Sequence, residues 1–218
     1  MSERTVEEYV ECIGELEERE SPVSTSSIAQ VLEVSPASVS EMLQRLSKKV
    51  LVEYTPYGGA KLTKKGSRHF LELTRRHRLW EVFLNRHLGI GWQDVYQPAC
   101  KLEHCTSDLV AERLAEFLDN PEVCPHGNPI PKSNLKQPKA PGIPLADLEA
   151  GRMAEITRVI NEGNVEFLYY LTSLGLTPGA KIKLLEKASF DGTLTIEVNN
   201  STRAIGREAA SLIMVEPV

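Results

Sequence analysis

The chain contains no run of about eighteen apolar residues, the length a helix needs to cross a bilayer, so a membrane-spanning helix is excluded. The opening residues, MSERTVEEYV, lack the apolar core of a secretion signal, and a cytoplasmic protein with no membrane partner is expected. Cysteine is scarce. Cys12, Cys100, Cys105 and Cys124 are too few and too scattered for a disulfide scaffold in 218 residues. In a reducing compartment they are free thiols or metal ligands. A recognisable nucleophile–base set is also missing, so neither an enzyme nor a small-molecule substrate is expected.

Net charge is low as well. At -5 it argues against nucleic acid, but the average hides a split. Residues 1–34 carry two Lys/Arg against nine Asp/Glu, and residues 35–78 carry ten against three. A local basic block is what a phosphate backbone attracts; a solvated charged surface has the same composition.

The apolar spacing supplies the elements. Val6, Tyr9, Val10, Ile13 and Leu16 make one stripe on a first helix over 5–20. Ser24 to Ser27 offer caps for a short helix through Ile28, Ala29 and Leu32. Pro36 suits the first turn of the next, which places Val39, Met42, Leu43 and Leu46 at i, i+3, i+4 and i+7. Two short helices with a tight turn form a helix-turn-helix. LVEYTPYGGAKLTKKG then reads as a hairpin, or wing, about Pro-Tyr-Gly-Gly. A long helix is expected over 63–87, with further helices over 92–104 and 106–119. Their apolar surface is enough to require a partner, most simply a second copy of the chain. The proline-rich stretch 120–145 reads as a linker. Beyond it MAEITRVI, AKIKLLEKA, GTLTIEVNN and SLIMVEPV look like strands, with VEFLYYLTSLGL as a helix ending near Gly175. That is a small domain of β-barrel type.

Three local sets can hold a metal. Cys100, Glu103 and His104 share one helical face and offer thiolate, carboxylate and imidazole. His77 and Glu81 stand at i and i+4, which is also the spacing of an ordinary helix salt bridge. Cys124 and His126 lie two apart in CPHGNPIP, a spacing unlike a zinc finger. Each set alone has a plain structural explanation: a polar helix face, an ion pair, a turn. Three of them beside a winged helix carry more weight together.

In the segments EEYVECIGELEE, SPASVSEMLQRL, HRLWEVFL, ACKLEHCTSDLVAERL and CPHGNPIP, nearly the whole chain resembles the diphtheria-toxin-repressor family of metal-dependent transcriptional regulators, including its manganese-sensing branch. The resemblance implies a mainly α fold with a small β part. Its pieces are a winged helix-turn-helix over 1–73, a helical metal-binding and dimerisation domain over 74–145, and an SH3-like C-terminal domain over 146–218. It implies a homodimer bound to a palindromic double-stranded operator. It also implies a primary metal site from Glu8, Cys100, Glu103 and His104, with Glu11 matching a carboxylate of the manganese branch. Iron-sensing members carry Met and Cys at the first two positions and manganese sensors carry carboxylates, so this chain is mixed. For the second site His77 and Glu81 match, but Tyr96 stands where iron sensors have another His. A longer manganese-branch version uses Glu81, Cys124, His126 and an acidic residue of the C-terminal domain, for which Glu166 is the expected position.

Thiolate ligands favour Fe(II) over Mn(II), whereas the carboxylates pull toward the harder ion; Fe(II) is expected, Mn(II) is the alternative, and Zn(II) or Co(II) should substitute in vitro. Ser35, Pro36, Ala37, Ser38 and Glu41 are expected to face the bases at the start of the reading helix. Arg45, Lys48, Lys49, Lys61 and Lys64 are expected to touch phosphate.

Overall fold

A computed structural model describes residues 3–17, 20–136, 140 and 142–218. The chain divides into two compact units: Met1–Arg76 with Glu103–Thr106 and Pro131–Lys136, and His77–Leu102 with Ser107–Ile130 and Gln137–Val218.

In the first unit α1 (Glu3–Glu17) buries Val6, Tyr9, Val10 and Ile13, the stripe its spacing predicts. Helix α2 (Thr25–Val31) is capped by Ser24, which accepts from the Ser27 amide. Helix α3 (Pro36–Lys48) repeats the device with Ser35 and the Ser38 amide, and Pro36 opens its first turn. The antiparallel hairpin β1 (Val52–Thr55) and β2 (Gly59–Leu62) follows. Ala60 and Val23 exchange backbone hydrogen bonds of 2.9 and 2.8 Å, so the wing is stitched to the segment before α2. Gly59 has φ +89°, and a Cβ there would meet the Val23 carbonyl at 2.7 Å. Ile28, Val39, Leu43, Leu46, Val52 and Ala60 close one core beneath α1.

Helix α4 (Lys64–Arg86) gives its first half to this unit and its second half to the other. In the second unit Leu79 and Val82 of α4 pack on Leu114, Ala115 and Leu118, all on or just past α6 (Asp108–Phe117), and on Cys124 and Ile130. Helix α5 (Tyr96–Glu103) starts four residues later than its apolar pattern predicts, because a turn from Gly91 to Asp94 precedes it. The expected linker is also revised. Residues 121–130 form a built loop, with Cys124, His126, Asn128 and Ile130 buried and Val123 bridged to Pro129.

The C-terminal part holds β3 (Ile143–Pro144), β4 (Met153–Val159), α7 (Val165–Leu174), β5 (Lys181–Lys187), β6 (Leu194–Val198), β7 (Ser201–Ile205), α8 (Arg207–Ser211) and β8 (Ile213–Pro217). The strands pair antiparallel in the order β3-β8-β4-β5-β6-β7, bulged between Ile156 and Arg158 and between Leu184 and Glu186. This is the SH3-like domain, with Ile156, Ile182, Ile196, Ile213 and the Leu168–Leu171 face of α7 in its core. Strand β7 and helix α8 escape sequence reading, since STRAI lacks alternation and REAAS is barely one turn. Gly175 ends α7 in the left-handed conformation at φ +76°.

Candidate metal centres and nucleic-acid interface

Four side chains of the second unit converge. Glu81 comes from α4, Cys124 and His126 from the CPH turn, and Glu162 from the loop between β4 and α7. His126 Nδ1 lies 3.2 Å from Glu81 Oε1, 3.7 Å from Glu162 Oε2 and 3.9 Å from Cys124 Sγ. The Cys124 thiol is 3.9 Å from Glu162 Oε2. Metal–ligand distances of about 2.0–2.3 Å place neighbouring ligands of a four-coordinate ion roughly 3.3–3.8 Å apart. The cluster has the size of one ion shell.

Two members are held by partners outside the cluster. His126 Nε2 donates to the Trp92 carbonyl at 2.7 Å, which leaves Nδ1 facing the cluster. Glu162 accepts from Asn128 at 2.5 Å and pairs with Arg78 at 3.3 Å. Arg78 also donates to the Pro129 carbonyl at 2.7 Å. The turn needs Gly127 at φ +81°: a Cβ there would lie 1.9 Å from the Thr157 carbonyl oxygen. Both Glu81 oxygens are buried, and neither has a well-aligned hydrogen bond. A buried acceptor without a partner is costly, and an ion between these four groups would satisfy it. Two carboxylate oxygens, one sulfur and one imidazole nitrogen suit a divalent ion of borderline softness.

The electrostatics agree. Burial alone would raise the Glu81 carboxyl, but His77 and His126 outweigh it and hold it well below the usual carboxylate range. Burial, then Glu81 and Glu162, pushes the Cys124 thiol well up. Burial works against a charged His126, yet its contacts with Glu81 and Glu162 raise it above its ordinary value. Arg78 is shifted up the same way, burial being overcome by Glu162, and stays a cation.

Two expectations for this set change. The acidic side chain that joins this cluster is Glu162, whereas Glu166 is exposed in the first turn of α7. Glu162 lies in the turn NEGN, where no periodicity announces a direction. His77 stays outside the four, with Nε2 3.3 Å from Glu81 Oε1 and its ring 4.7 Å from Tyr96.

The second set sits at the end of α5. Ligand atoms of Cys100, Glu103 and His104 lie within 4.8 Å of one another. Glu103 is buried, and His104 Nε2 is buried without a hydrogen bond, 3.4 Å from Glu103 Oε1. Glu8 and Glu11 are not in this group. Glu8 pairs with Arg4 one turn earlier at 2.9 Å, and it lines a groove of about 490 Å³ with Ser38, Glu41 and Arg45. The α1 carboxylate that reaches His104 is Glu7, with Oε2 2.8 Å from Nδ1. Sequence reading passed over Glu7. The signal was present: a charged residue at i relative to Val10 and Gly14, on the buried stripe.

Ser35, Pro36, Ala37, Ser38, Glu41, Arg45, Lys48, Lys49, Lys61 and Lys64 are all exposed. Ser35 is engaged as the α3 cap, and Arg45 pairs with Glu41 on the same helix. Ala37 and Ser38 remain as small side chains at the α3 N-terminus, with Lys48 and Lys49 at its other end and Lys61 on the wing.

Residues 1–60 match the family model described as iron dependent repressor, N-terminal DNA binding domain. Residues 63–132 match iron dependent repressor, metal binding and dimerisation domain, and residues 143–217 match the FeoA domain. The chain is 30% identical to the iron-dependent repressor IdeR of Mycobacterium tuberculosis (strain ATCC 25618 / H37Rv), over 98% of this chain and 97% of that one. Among solved structures it is similar to a manganese-dependent transcriptional repressor in complex with manganese, at TM-score 0.90 and 30% identity, covering 98% of this chain and all of the other. It is also similar to the manganese regulator SloR, at TM-score 0.83 and 35% identity, covering 98% of both chains.

Proposed function

The chain belongs to the iron-dependent repressor family, and from that premise we infer that it is a metal-dependent repressor of transcription with two divalent-metal centres per subunit. The observation that carries this reading is the buried Glu81–Cys124–His126–Glu162 shell on a chain whose other end exposes a reading helix. Domain limits at 1–73, 74–145 and 146–218 follow the same reading.

The first centre takes Cys100, Glu103 and His104, and α1 supplies the remaining carboxylate from Glu8 or Glu11. Bound there, a divalent ion supplies the positive charge that lets these groups face one another without repulsion. The residues do the rest. Glu8 leaves Arg4, α1 is held at the end of α5, and α3 and the wing follow because they share one core with α1. The coupling is reciprocal: DNA that selects this arrangement raises metal affinity by the same factor. Ala37 and Ser38 read base edges through small side chains and water, and Arg45, Lys48, Lys49, Lys61 and Lys64 position the head on phosphate. A second copy covers the apolar side of α6, where Leu109, Val110 and Phe117 are exposed and the Phe83 and His87 rings lie tilted against Phe117. Two heads on one dyad match a palindromic operator.

Sulfur in both centres favours Fe(II) over Mn(II). The carboxylates keep Mn(II) as the second reading, and Zn(II) or Co(II) as stand-ins. The test is binding of the metal-stripped protein to its own upstream DNA under anaerobic conditions, with each ion titrated separately. A tenfold or larger rise in affinity, about 1.4 kcal/mol of coupling, that Glu103→Ala removes is the expected result. Equal binding with chelator would leave a winged-helix regulator indifferent to metal.

A further inference from the structure

His104 touches α1 through one residue that no ligand assignment includes. Glu7 Oε2 sits 2.8 Å from Nδ1, and both side chains are buried, at 4% and 7% exposure. A carboxylate accepts, so Nδ1 donates, and in the neutral imidazole Nε2 is left with its lone pair. That nitrogen is buried, has no hydrogen bond, and lies beside Glu103. A histidine placed only to pair with Glu7 has no need of a second nitrogen buried beside another carboxylate with no hydrogen bond to it. The arrangement is instead that of a carboxylate–histidine–metal triad seen from its outer end.

The support behind Glu7 is rigid. Val6 and Val10 flank it in the core beneath α1. Gly14, two turns on, presses so close to α4 that a Cβ would fall 2.5–2.7 Å from ring atoms of Phe70. His69 of α4 places Nε2 3.9 Å from Glu7 Oε1, the carboxylate oxygen that His104 does not bond. Glu7 therefore stands between two imidazoles with its position fixed by packing.

We propose that Glu7 is a positioning residue of the first metal centre: it fixes His104 in the Nδ1–H tautomer, aims Nε2 at the ion, and ties that aim to the seat of α1. This rests on the reading of Cys100, Glu103 and His104 as a metal centre. It assigns to α1 two separate duties, an outer one for Glu7 and a ligand for its neighbours. Metal affinity and the docking of the reading head then share one hydrogen bond, and weakening either weakens the other.

The test uses the full, metal-stripped chain. Long-range proton–nitrogen spectra of histidine-labelled protein report the tautomer of His104 before any metal is added. Wild type should show hydrogen on Nδ1, and Glu7→Leu should lose that preference. Anaerobic Co(II) titration then reads the centre through the thiolate-to-cobalt absorption that Cys100→Ser removes. Glu7→Leu should raise the Co(II) Kd of that absorption about 10–100-fold, with the Cys124-dependent absorption unchanged as a folding control. Glu7→Gln keeps an acceptor and the fold, and should raise it a few-fold. The proposal is overturned if His104 carries its hydrogen on Nε2 in the wild type, or if both variants bind Co(II) at Cys100 as wild type does. Absence of any Cys100-dependent absorption in the wild type would remove the centre itself, a failure distinct from a normal centre that ignores Glu7.

Discussion

The two ligand clusters differ in how much of each the fold builds by itself. Around Glu162 the four side chains come from three separate parts of one compact unit, and two of them have outside partners: Trp92 for His126, Asn128 and Arg78 for Glu162. Around Cys100 three ligands come from little more than one turn of a single helix, and Glu8 is turned to Arg4 instead. A shell assembled by tertiary packing answers an ion by becoming more stable. A shell that needs α1 to finish it answers by moving α1. The first is suited to holding the C-terminal domain to the loop and α4, the second to sensing.

That contrast breaks most visibly at Cys124. Cys124→Ala should weaken metal at the complete shell by more than the roughly 10–100-fold typical of an outer-shell partner, because it deletes a ligand. Metal present at about 1,000 times Kd stabilises by roughly 4 kcal/mol. At this chain length that is on the order of 8–16 °C in Tm. Calorimetry should show most of that gain lost in Cys124→Ala, while metal-stimulated DNA binding persists. Glu103→Ala should do the reverse. If Cys124→Ala abolishes the DNA response as fully as Glu103→Ala, the division of labour is wrong.

The next effect acts through backbone. Gly127→Ala puts a side chain at φ +81°, with its Cβ 1.9 Å from the Thr157 carbonyl. A strained backbone residue costs about 1–3 kcal/mol, and the clash adds to it. A Tm loss of about 3–10 °C is expected, together with weaker metal at the Cys124 shell, since Cys124 and His126 flank the glycine. An unchanged melt with normal metal binding would show that the turn is not what forms the shell.

Why sequence reading found one shell more fully than the other follows from the same geometry. Helical spacing alone brings Cys100, Glu103 and His104 together, so that face is legible from residue order. The winged helix was legible for the same reason: stripes, serine caps and Pro36 all act locally. Glu81, Cys124 and His126 were picked out as two separate local pairs and were joined into one site only through a family resemblance, because loop closure over dozens of residues leaves no local pattern. Glu162 shows the limit. It sits in a turn whose direction is set by β4 and by the Val159–His126 backbone hydrogen bond, and the acid on the neighbouring helix, Glu166, was chosen in its place. Residues 120–130 misread as linker for a related reason, since proline and glycine mark a tight built turn and a loose one alike.

Proton competition sharpens the comparison further. Metal needs the Cys124 thiolate and a free His126 Nδ1. Burial with Glu81 and Glu162 raises the thiol, and the same carboxylates raise His126 above its ordinary value. Both protons must leave, so affinity falls as pH falls. Below about pH 6.5 each ion displaces nearly two protons, and log K should drop by almost two per pH unit. Above the His126 transition one proton remains, from Cys124, and the slope should approach one. Glu81, held ionised by its histidines, adds nothing. Isothermal titration in buffers of different ionisation enthalpy counts the protons. A profile that is flat above the His126 transition would mean that Cys124 is not a ligand.

The smallest effect separates reading from sensing. Lys61 is an exposed cation on the wing, outside both clusters. If it touches phosphate, Lys61→Ala lowers DNA affinity evenly across sequences and reduces the slope of log K against log salt by about 0.9. It should do so by the same factor at every metal concentration, because the lysine belongs to the head and not to the switch. Glu103→Ala should leave the salt slope of the remaining binding untouched and remove the metal dependence. A Lys61→Ala penalty that appears only with metal would place the wing itself inside the switch. The sensing region would then extend from α1 through the Val23–Ala60 stitch to β2.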